Sequence, residues 1–271
     1  MNTLSLLPPF DALWAGKDPF VEVEGLRGQV FRELAGRRTL QTTCAGVSVF
    51  VKIHRGVGWG EILKNWLYGR RPILGAGDEW QALQRLRARG FPTMEPLAYG
   101  ERGCNPARRH SFIVTRELAP TESLEDHTRP WRETPPPLRW KRSLIRRVAE
   151  MAAALHGAGV NHRDFYLCHF LLHLDPAPSP DSLRLSLIDL HRAQCRDQVP
   201  RRWRDKDLAS LYFSALDIGL TRGDRCRFLR SYFGRPLRDI LAAEAPLLRH
   251  LEREGERLRV RYQRKFAPEN R

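Results

Sequence analysis

The early part of the chain alternates apolar and polar positions in the manner of β-strands. Residues 28–53 predict three strands joined by turns at residues 35–36 and 45–46. In the third strand, valines alternate with other residues across positions 47–51. Because successive side chains of a strand point to opposite faces, we expect Lys52 to point away from those valines.

The next segment of the chain has apolar residues at helical spacing. Within residues 78–89, Leu83 and Leu86 fall on one stripe of a predicted helix, and Glu79 lies in its first turn. The segment HSFIVTREL, residues 110–118, predicts a further strand. This part of the chain therefore predicts a β-rich unit that carries a helix.

The second half of the chain is mainly helical in pattern. Residues 128–137 contain four prolines among polar residues and predict a linker. The strongest helical stripe follows, formed by Leu144, Ile145, Val148, Met151, Ala152 and Leu155. Two short strands, FLLHL and LRLSLIDL, come next, and the chain from Lys206 onward is mostly helical. The prediction is an α+β fold with a small β-rich N-lobe at residues 1–127 and a larger helical C-lobe at residues 128–271.

Composition narrows the class of partner. The formal charge is +15 with a pI near 10.4, which indicates a polyanionic partner: nucleic acid, an anionic membrane surface or a phosphorylated substrate. The five cysteines form no CxxC pair, so we expect neither a disulfide framework nor a zinc site, and a reducing cytosol fits best. We also expect no signal peptide and no membrane span.

The sharpest chemical motif is a His-Arg-Asp tripeptide. His162, Arg163 and Asp164 follow the long helix directly, and His169 comes five residues after Asp164. Farther on, Asp189 ends a strand. Protein kinases place H-R-D-x-x-x-x-N after a helix and D-F-G after a strand, in this order. We therefore predict a protein-kinase-like fold whose catalytic motif is His162, Arg163 and Asp164, with Asp164 as the base.

The chemistry of phosphoryl transfer predicts roles for the other candidate residues. Lys52 would bind the phosphates of ATP, Glu79 would pair with it, and Asp189 would hold Mg²⁺, which prefers carboxylate oxygens. Glu61 is a rival partner for Lys52. The alternative for each residue is structural: turn-capping aspartates, a solvent-facing strand lysine, and a glutamate favoured by the helix dipole.

Two positions depart from the usual kinase pattern. No G-x-G-x-x-G precedes the strand lysine, so the turn with Gly36, Arg37 and Arg38 is the candidate to cover the phosphates, a plain basic hairpin being the alternative. His169 stands where kinases place the second Mg²⁺ ligand. It either binds metal or hydrogen-bonds Asp164 or a phosphate oxygen, since imidazole suits Mg²⁺ poorly.

Long runs of sequence resemble the bacterial lipopolysaccharide core heptose(I) kinases. The matching runs are LWAGKDPFVEVEGLRGQVFRELAGRRTL, FVKIHRG, NHRDFYLCHFLLH, LSLIDLHRAQ and PRRWRDKDLASLYFSALDIGLTRGDRCRF. The resemblance implies ATP- and Mg²⁺-dependent phosphorylation of the first heptose of the inner core at O4, by a peripheral protein at the cytoplasmic face of the inner membrane. His169 matches the family pattern. Phe165 stands where that family commonly has Cys.

The resemblance also explains the charge. Nascent core lipopolysaccharide carries phosphates and carboxylates, and basic pairs could hold them: Arg37-Arg38, Arg70-Arg71, Arg108-Arg109 and Arg201-Arg202. An acidic protein is a further candidate partner for this surface. Residues 59–74 predict an amphipathic helix that lies either on a membrane or against the small lobe.

Several alternatives remain. A Kdo kinase, a heptose(II) kinase or a protein tyrosine kinase would share these motifs. A nucleic-acid-binding module would need aromatic residues among its basic patches. The tryptophans lie mostly in apolar periodicity, so we expect no nucleic acid. A pseudokinase is disfavoured because Lys52, Asp164 and Asp189 are all present. We expect Asp207, which opens a helix, to brace the catalytic loop.

Overall fold

The computed structural model describes residues 2–34, 36–69 and 71–266. Ala35 of a predicted turn and Arg70 of a predicted basic pair lie outside these ranges. The chain divides into two compact units. Unit 1 comprises Met1–Ala88, Thr93–Leu118 and Asp189–Ala193, and unit 2 comprises Arg89–Pro92, Ala119–Ile188 and Gln194–Arg271.

Unit 1 is built on an antiparallel sheet. In the described chain its elements are β1 (Thr3–Leu6), α1 (Phe10–Leu13), α2 (Pro19–Gly25), β2 (Gln29–Leu34), β3 (Arg37–Cys44), β4 (Val47–Arg55), α3 (Gly58–Leu67), α4 (Gly77–Arg87), β5 (Pro96–Arg102) and β6 (His110–Arg116). The sheet has the strand order β1-β5-β6-β4-β3-β2. The three strands predicted within residues 28–53 are confirmed, as are the helix near Glu79 and the strand from His110.

The pattern of β4 fixes the direction of Lys52. Val49, Val51 and Ile53 have no exposed surface and pack in the core of unit 1, together with Leu40 of β3. Alternation then carries Lys52 to the opposite face of the sheet. Burial of these apolar side chains stabilises the strand by about 1.5–3 kcal/mol each, which holds the lysine in register.

Unit 2 is mainly helical. Its described elements are β7 (Thr121–Ser123), α5 (Leu124–Thr128), α6 (Leu138–Gly157), β8 (Val160–Asn161), β9 (Phe170–His173), β10 (Leu185–Leu187), β11 (Gln194–Cys195), α7 (Arg201–Ser214), α8 (Arg222–Phe233), α9 (Leu237–Ala243) and α10 (Ala245–Phe266). Strands β10, β9 and β7 form one small sheet, and β11 pairs with β8. A small β-rich unit and a larger helical unit confirm the predicted α+β class.

The ends of the units differ from the sequence expectation in two places. Residues 119–127, assigned to the N-lobe from sequence, lie in unit 2 because β7 pairs with β9 there. Residues 189–193 lie in unit 1, although their neighbours in sequence belong to unit 2. The proline-rich segment 128–137 contains a 3₁₀ turn at Arg129–Arg132.

Helix α8 is tied to α6 by a buried ion pair. Thr221 and Asp224 form a reciprocal capping box at its start. Asp224 Oδ2 also lies 2.9 Å from Lys141 Nζ on α6, and both side chains are only 9% exposed. Burial would raise the pKa of Asp224, but hydrogen bonds from Lys141 and Thr221 hold the pKa below its usual value.

Helix α3 confirms a helix within residues 59–74. Only Ile62 is buried, while Trp59, Leu63, Trp66 and Leu67 are exposed. No described helix is both long enough and apolar enough to cross a bilayer.

Candidate active site

The predicted nucleotide-binding residues of unit 1 form an ion-pair cluster. Lys52 Nζ lies 2.8 Å from Glu79 Oε1 and 2.7 Å from Asp189 Oδ1. Glu79 is fully buried in the first turn of α4. Glu61, the rival partner, is exposed on α3 and hydrogen-bonded to Asn65. The structure therefore brings Lys52 together with Glu79 and Asp189, and not with Glu61.

Opposite charges favour the ionised forms of Lys52 and Asp189. Burial alone would lower the pKa of Lys52, but the carboxylates of Glu79 and Asp189 raise it. Burial would raise the pKa of Asp189, yet a hydrogen bond from His191 and the charge of Lys52 hold it well below its usual range. His191 Nδ1 lies 2.8 Å from Asp189 Oδ1. An ionised carboxylate of this kind suits a hard divalent cation.

Arg37 lies on the same face of the sheet as Lys52. Cross-strand partners share a face, and in the β3–β4 register Arg37 pairs with His54, and Thr39 with Lys52. Burial lowers the pKa of Arg37, while the nearby charges of Asp189 and Glu79 oppose that change. Arg37 is thus a half-buried cation close to both carboxylates.

Arg38 has a different position. It pairs in register with the core residue Ile53, and its Nε lies 3.9 Å from Glu33. Side-chain alternation along β3 places it on the face opposite Lys52. The structure therefore does not bring Arg38 to the Lys52 cluster, although the sequence pattern grouped it with Arg37.

Gly36 is required by a close backbone approach. A Cβ at this position would lie 2.4 Å from the carbonyl oxygen of Gly56. The Arg55 N–H also donates to the Gly36 carbonyl oxygen at 2.9 Å. Both contacts hold the start of β3, and so Arg37, against the end of β4.

The predicted catalytic loop of unit 2 is held by a buried carboxylate. Asp207 has no exposed surface and accepts from the backbone N–H of His162 at 2.6 Å and of Arg163 at 2.8 Å. His156 Nε2 lies 3.3 Å from the same carboxylate. Arg163 has φ +74°, a left-handed conformation that costs free energy and must be held by its surroundings. The expectation that Asp207 braces this loop is confirmed.

The histidines of the loop stack on one another. His162 Nε2 contacts the Ile188 carbonyl oxygen at 2.9 Å, and its ring stacks on His169 with centroids 5.4 Å apart. His169 Nδ1 lies 2.6 Å from the backbone oxygen of Asp164, so the ring donates this bond. The side chain of Phe165 is fully buried beside the loop. His162, Arg163, Asp164 and His169 thus share one braced segment, and a metal role for His169 stays a prediction.

Sequence reasoning missed two histidines of unit 1. His191, two residues after Asp189, bonds its carboxylate, and the kinase motif has Gly there. His54, two residues after Lys52 on the same face, is buried, and burial together with Arg37 and Lys52 lowers its pKa to about 3. Strand alternation from Lys52 could have indicated His54.

Few protein groups within the described residues could serve as metal ligands. No group of three or more His, Cys, Asp or Glu side chains there could hold a metal ion alone. The carboxylate of Asp189 fits Mg²⁺, which commonly uses one or two carboxylates and takes its other ligands from phosphates and water. The cations Lys52 and Arg37 fit phosphate oxygens. The arrangement in unit 1 can therefore bind a metal–nucleotide pair.

Comparisons with known proteins agree with this chemistry. Residues 21–232 match the model of the lipopolysaccharide kinase (Kdo/WaaP) family. The chain is 62% identical over 261 residues to the lipopolysaccharide core heptose(I) kinase WaaP of Pseudomonas aeruginosa, covering 96% of this chain and 97% of that protein. It is 54% identical to the WaaP of Escherichia coli, covering 97% and 99% of the two chains.

A solved structure described as WaaP in complex with acyl carrier protein is also similar. Its TM-score is 0.85 at 58% identity, and the match covers 94% of this chain and 99% of that one. The resemblance and the kinase-like fold expected from the sequence are thereby confirmed.

Proposed function

We propose, from the premise that this chain belongs to the lipopolysaccharide kinase (Kdo/WaaP) family, that it transfers a phosphoryl group from ATP to the first heptose of the lipopolysaccharide inner core, at O4. The observation that carries the proposal is identity of 53–62% over nearly the full length of three heptose(I) kinases. The enzyme is an ATP-dependent sugar kinase.

In unit 1, the chain binds and neutralises the nucleotide. Lys52, held by Glu79, binds phosphate oxygens of ATP, and Arg37 supplies a second cation in place of a glycine-rich loop. Asp189 would hold Mg²⁺, and the ion would supply stabilisation for charge on the transferred phosphoryl group. His191 orients the Asp189 carboxylate through its hydrogen bond.

In unit 2, Asp164 orients the acceptor. Its carboxylate accepts a hydrogen bond from the heptose hydroxyl and takes its proton as the oxygen attacks phosphorus. The bond from the phosphorus to the ADP oxygen breaks as the new P–O bond forms. This role is supported by the bracing of the loop through Asp207 and by the bond from His169 to the Asp164 backbone.

The acceptor is tested by mapping the product. Purified protein is incubated with ATP, Mg²⁺ and a core acceptor ending in two heptoses, and the phosphate is located by mass spectrometry and NMR. We expect one phosphate, on O4 of the first heptose. Phosphate on Kdo or on the second heptose would overturn this acceptor and make the enzyme a Kdo kinase or a heptose(II) kinase.

We propose an acidic protein as a second partner, and we identify it as acyl carrier protein. The similar WaaP chain is described in complex with that protein. Unit 2 has a cavity of about 480 Å³ with a mainly apolar lining that includes Leu144, Leu208 and Leu229, which suits an acyl chain. Arg225, exposed beside this cavity, fits an acidic surface.

Binding measurements with acylated and unacylated carrier protein separate the contribution of the acyl chain from that of the acidic surface. We expect the acylated form to bind more tightly. Arg225→Glu should weaken the binding of both forms. Arg139→Glu, an exposed arginine that is not part of the cavity lining, is the matched control. Equal binding of both forms would exclude the cavity as the acyl site.

The proposed substrate is a component of a membrane. Core lipopolysaccharide is a glycolipid, so we infer that the chain works as a peripheral protein at the cytoplasmic face of the inner membrane. The charge of +15 supports attraction to an anionic surface.

A further inference from the structure

Helix α3 exposes an apolar stripe that the catalytic chemistry does not use. Trp59, Leu63 and Trp66 lie within about 60° of one another around a helix that turns 100° per residue, and Leu67 extends the stripe. The exposed fractions are 49% for Trp59, 50% for Leu63, 60% for Trp66 and 87% for Leu67. Four large apolar side chains on ten residues form a patch of the kind that marks an interaction surface.

The helix is fixed at its start by a close backbone contact. Gly56 and Gly58 have φ values of +88° and +74°, which favour glycine. A Cβ on Gly56 would lie 2.5 Å from the Ala107 carbonyl oxygen, and the Gly58 N–H donates to that same oxygen at 3.0 Å. Beyond this point Ile62 is the buried anchor of α3.

Cations border the stripe. Lys64 and Arg108 are exposed, and Arg108 follows the residue that holds the start of α3. Arg71, 58% exposed, lies four residues beyond the end of the helix and pairs with Asp78 at 2.9 Å. An apolar face with tryptophans and a basic border is the pattern of helices that lie in the headgroup region of a bilayer.

We propose that α3 is a membrane-docking helix, which inserts Trp59, Leu63, Trp66 and Leu67 into the interface of an anionic bilayer while Lys64 and Arg108 bind lipid phosphates. This inference rests on the proposed function, because an acceptor anchored in lipid requires the enzyme at that surface. The rings of Trp59 and Trp66 suit this depth, since each is largely apolar with one N–H donor.

A second copy of the chain fits the stripe less well. A two-fold contact would place the same patch of both copies face to face. The basic border of one copy, with Lys64 and Arg108, would then face the same basic border of the other copy, and like charges across an interface oppose association. An anionic bilayer matches both the apolar stripe and its border.

Vesicle binding tests the inference. The full chain is sedimented with vesicles of phosphatidylcholine containing one third phosphatidylglycerol, and with vesicles of phosphatidylcholine alone. Trp66→Ser with Leu67→Ser should lower binding to the anionic vesicles at least about tenfold, because two large apolar side chains no longer insert. Val21→Ser with Leu138→Ser removes similarly exposed apolar residues elsewhere and should leave binding unchanged.

Kinase assays separate this inference from the proposed function. The α3 variant should phosphorylate a delipidated core oligosaccharide at the wild-type rate and a vesicle-embedded acceptor several-fold more slowly. If wild type phosphorylates neither acceptor, the proposed function fails while the vesicle result still stands. Unchanged vesicle binding by the α3 variant, or equal losses in both double variants, would overturn the docking role. A dimer that the α3 variant alone dissociates, with vesicle binding intact, would assign the stripe to a second copy.

Discussion

The carboxylate of Asp164 is the group whose loss should separate chemistry from binding. Asp164→Asn keeps the size of the side chain and weakens the acceptor of the hydroxyl proton. We expect heptose phosphorylation to fall by about 10²–10⁴, with ATP affinity nearly unchanged, because the phosphate-binding cations lie elsewhere in the sequence. Initial rates and calorimetric ATP titration check this, and a rate within a few-fold of wild type would contradict the role.

His169 should act through hydrogen bonding and not through metal. Its Nδ1 bond to the Asp164 backbone orients the loop, so His169→Ala should lower turnover about tenfold, the order of one or two hydrogen bonds. The Mg²⁺ concentration for half-maximal rate should stay the same. His169→Asn, which restores the usual kinase ligand, should not restore full activity. A variant that needs much more Mg²⁺, or a wild type that works better with Mn²⁺, would indicate a metal ligand.

Motifs in the sequence identified residues that each belong to a recognisable element, although these residues are far apart along the chain. Lys52 lies in β4, Asp189 follows β10 by two residues, and Glu79 lies in the first turn of α4, so the order of kinase motifs could predict their grouping. The position of Arg38 could not be predicted in this way. Its distance from the cluster depends on which face of β3 it occupies, and that is set by the β3–β4 register and by the bulge-free pairing of eight residues.

At the scale of elements, the Lys141–Asp224 pair should anchor α8 on α6. Asp224→Asn leaves Lys141 buried without its counter-charge and weakens the helix cap, so the free energy of unfolding should fall by about 3 kcal/mol at pH 7. Asp181→Asn, which removes an exposed ion pair with Arg139, is the control and should cost at most about 1 kcal/mol.

The sign of the pH dependence follows from the lowered pKa of Asp224. A carboxylate whose pKa is lower in the folded than in the unfolded protein stabilises the fold at pH values above its unfolded pKa, about 3.9. That stabilisation is lost as the pH falls through the folded pKa. Urea unfolding should therefore show the wild type and Asp224→Asn converging below about pH 4. A constant gap between them down to pH 2 would contradict the assignment.

Elements with strong periodicity were predictable, and their packing was not. The stripe of α6 indicated a helix whose Leu144, Met151 and Leu155 are buried. The stripe of α3 has equally good helical spacing, yet its apolar side chains are exposed. Periodicity predicts that one face of a helix is apolar, but it does not predict what packs against that face. The placement of residues 189–193 in unit 1 likewise depends on tertiary contacts.

For the whole molecule, the excess of positive charge should govern association. Binding to anionic vesicles should weaken steeply between low and high salt, because exposed charges are screened beyond about 8 Å at physiological ionic strength. Sedimentation across a salt series measures this. A residual, salt-insensitive fraction should remain in wild type and vanish in the Trp66→Ser, Leu67→Ser variant. Binding that is flat across the whole series would contradict an electrostatic contribution.

The hydrogen bond between His191 and Asp189 bears on how this enzyme can be inhibited. Some kinase inhibitors bind only after the Asp-Phe-Gly segment has turned over, a change that glycine makes easier. Here Leu190 is fully buried in place of the phenylalanine and His191 holds the aspartate in place of the glycine. We expect compounds of that class to bind poorly. A ligand that contacts the His191 imidazole, which stands where eukaryotic protein kinases have glycine, would have a basis for selectivity over those kinases.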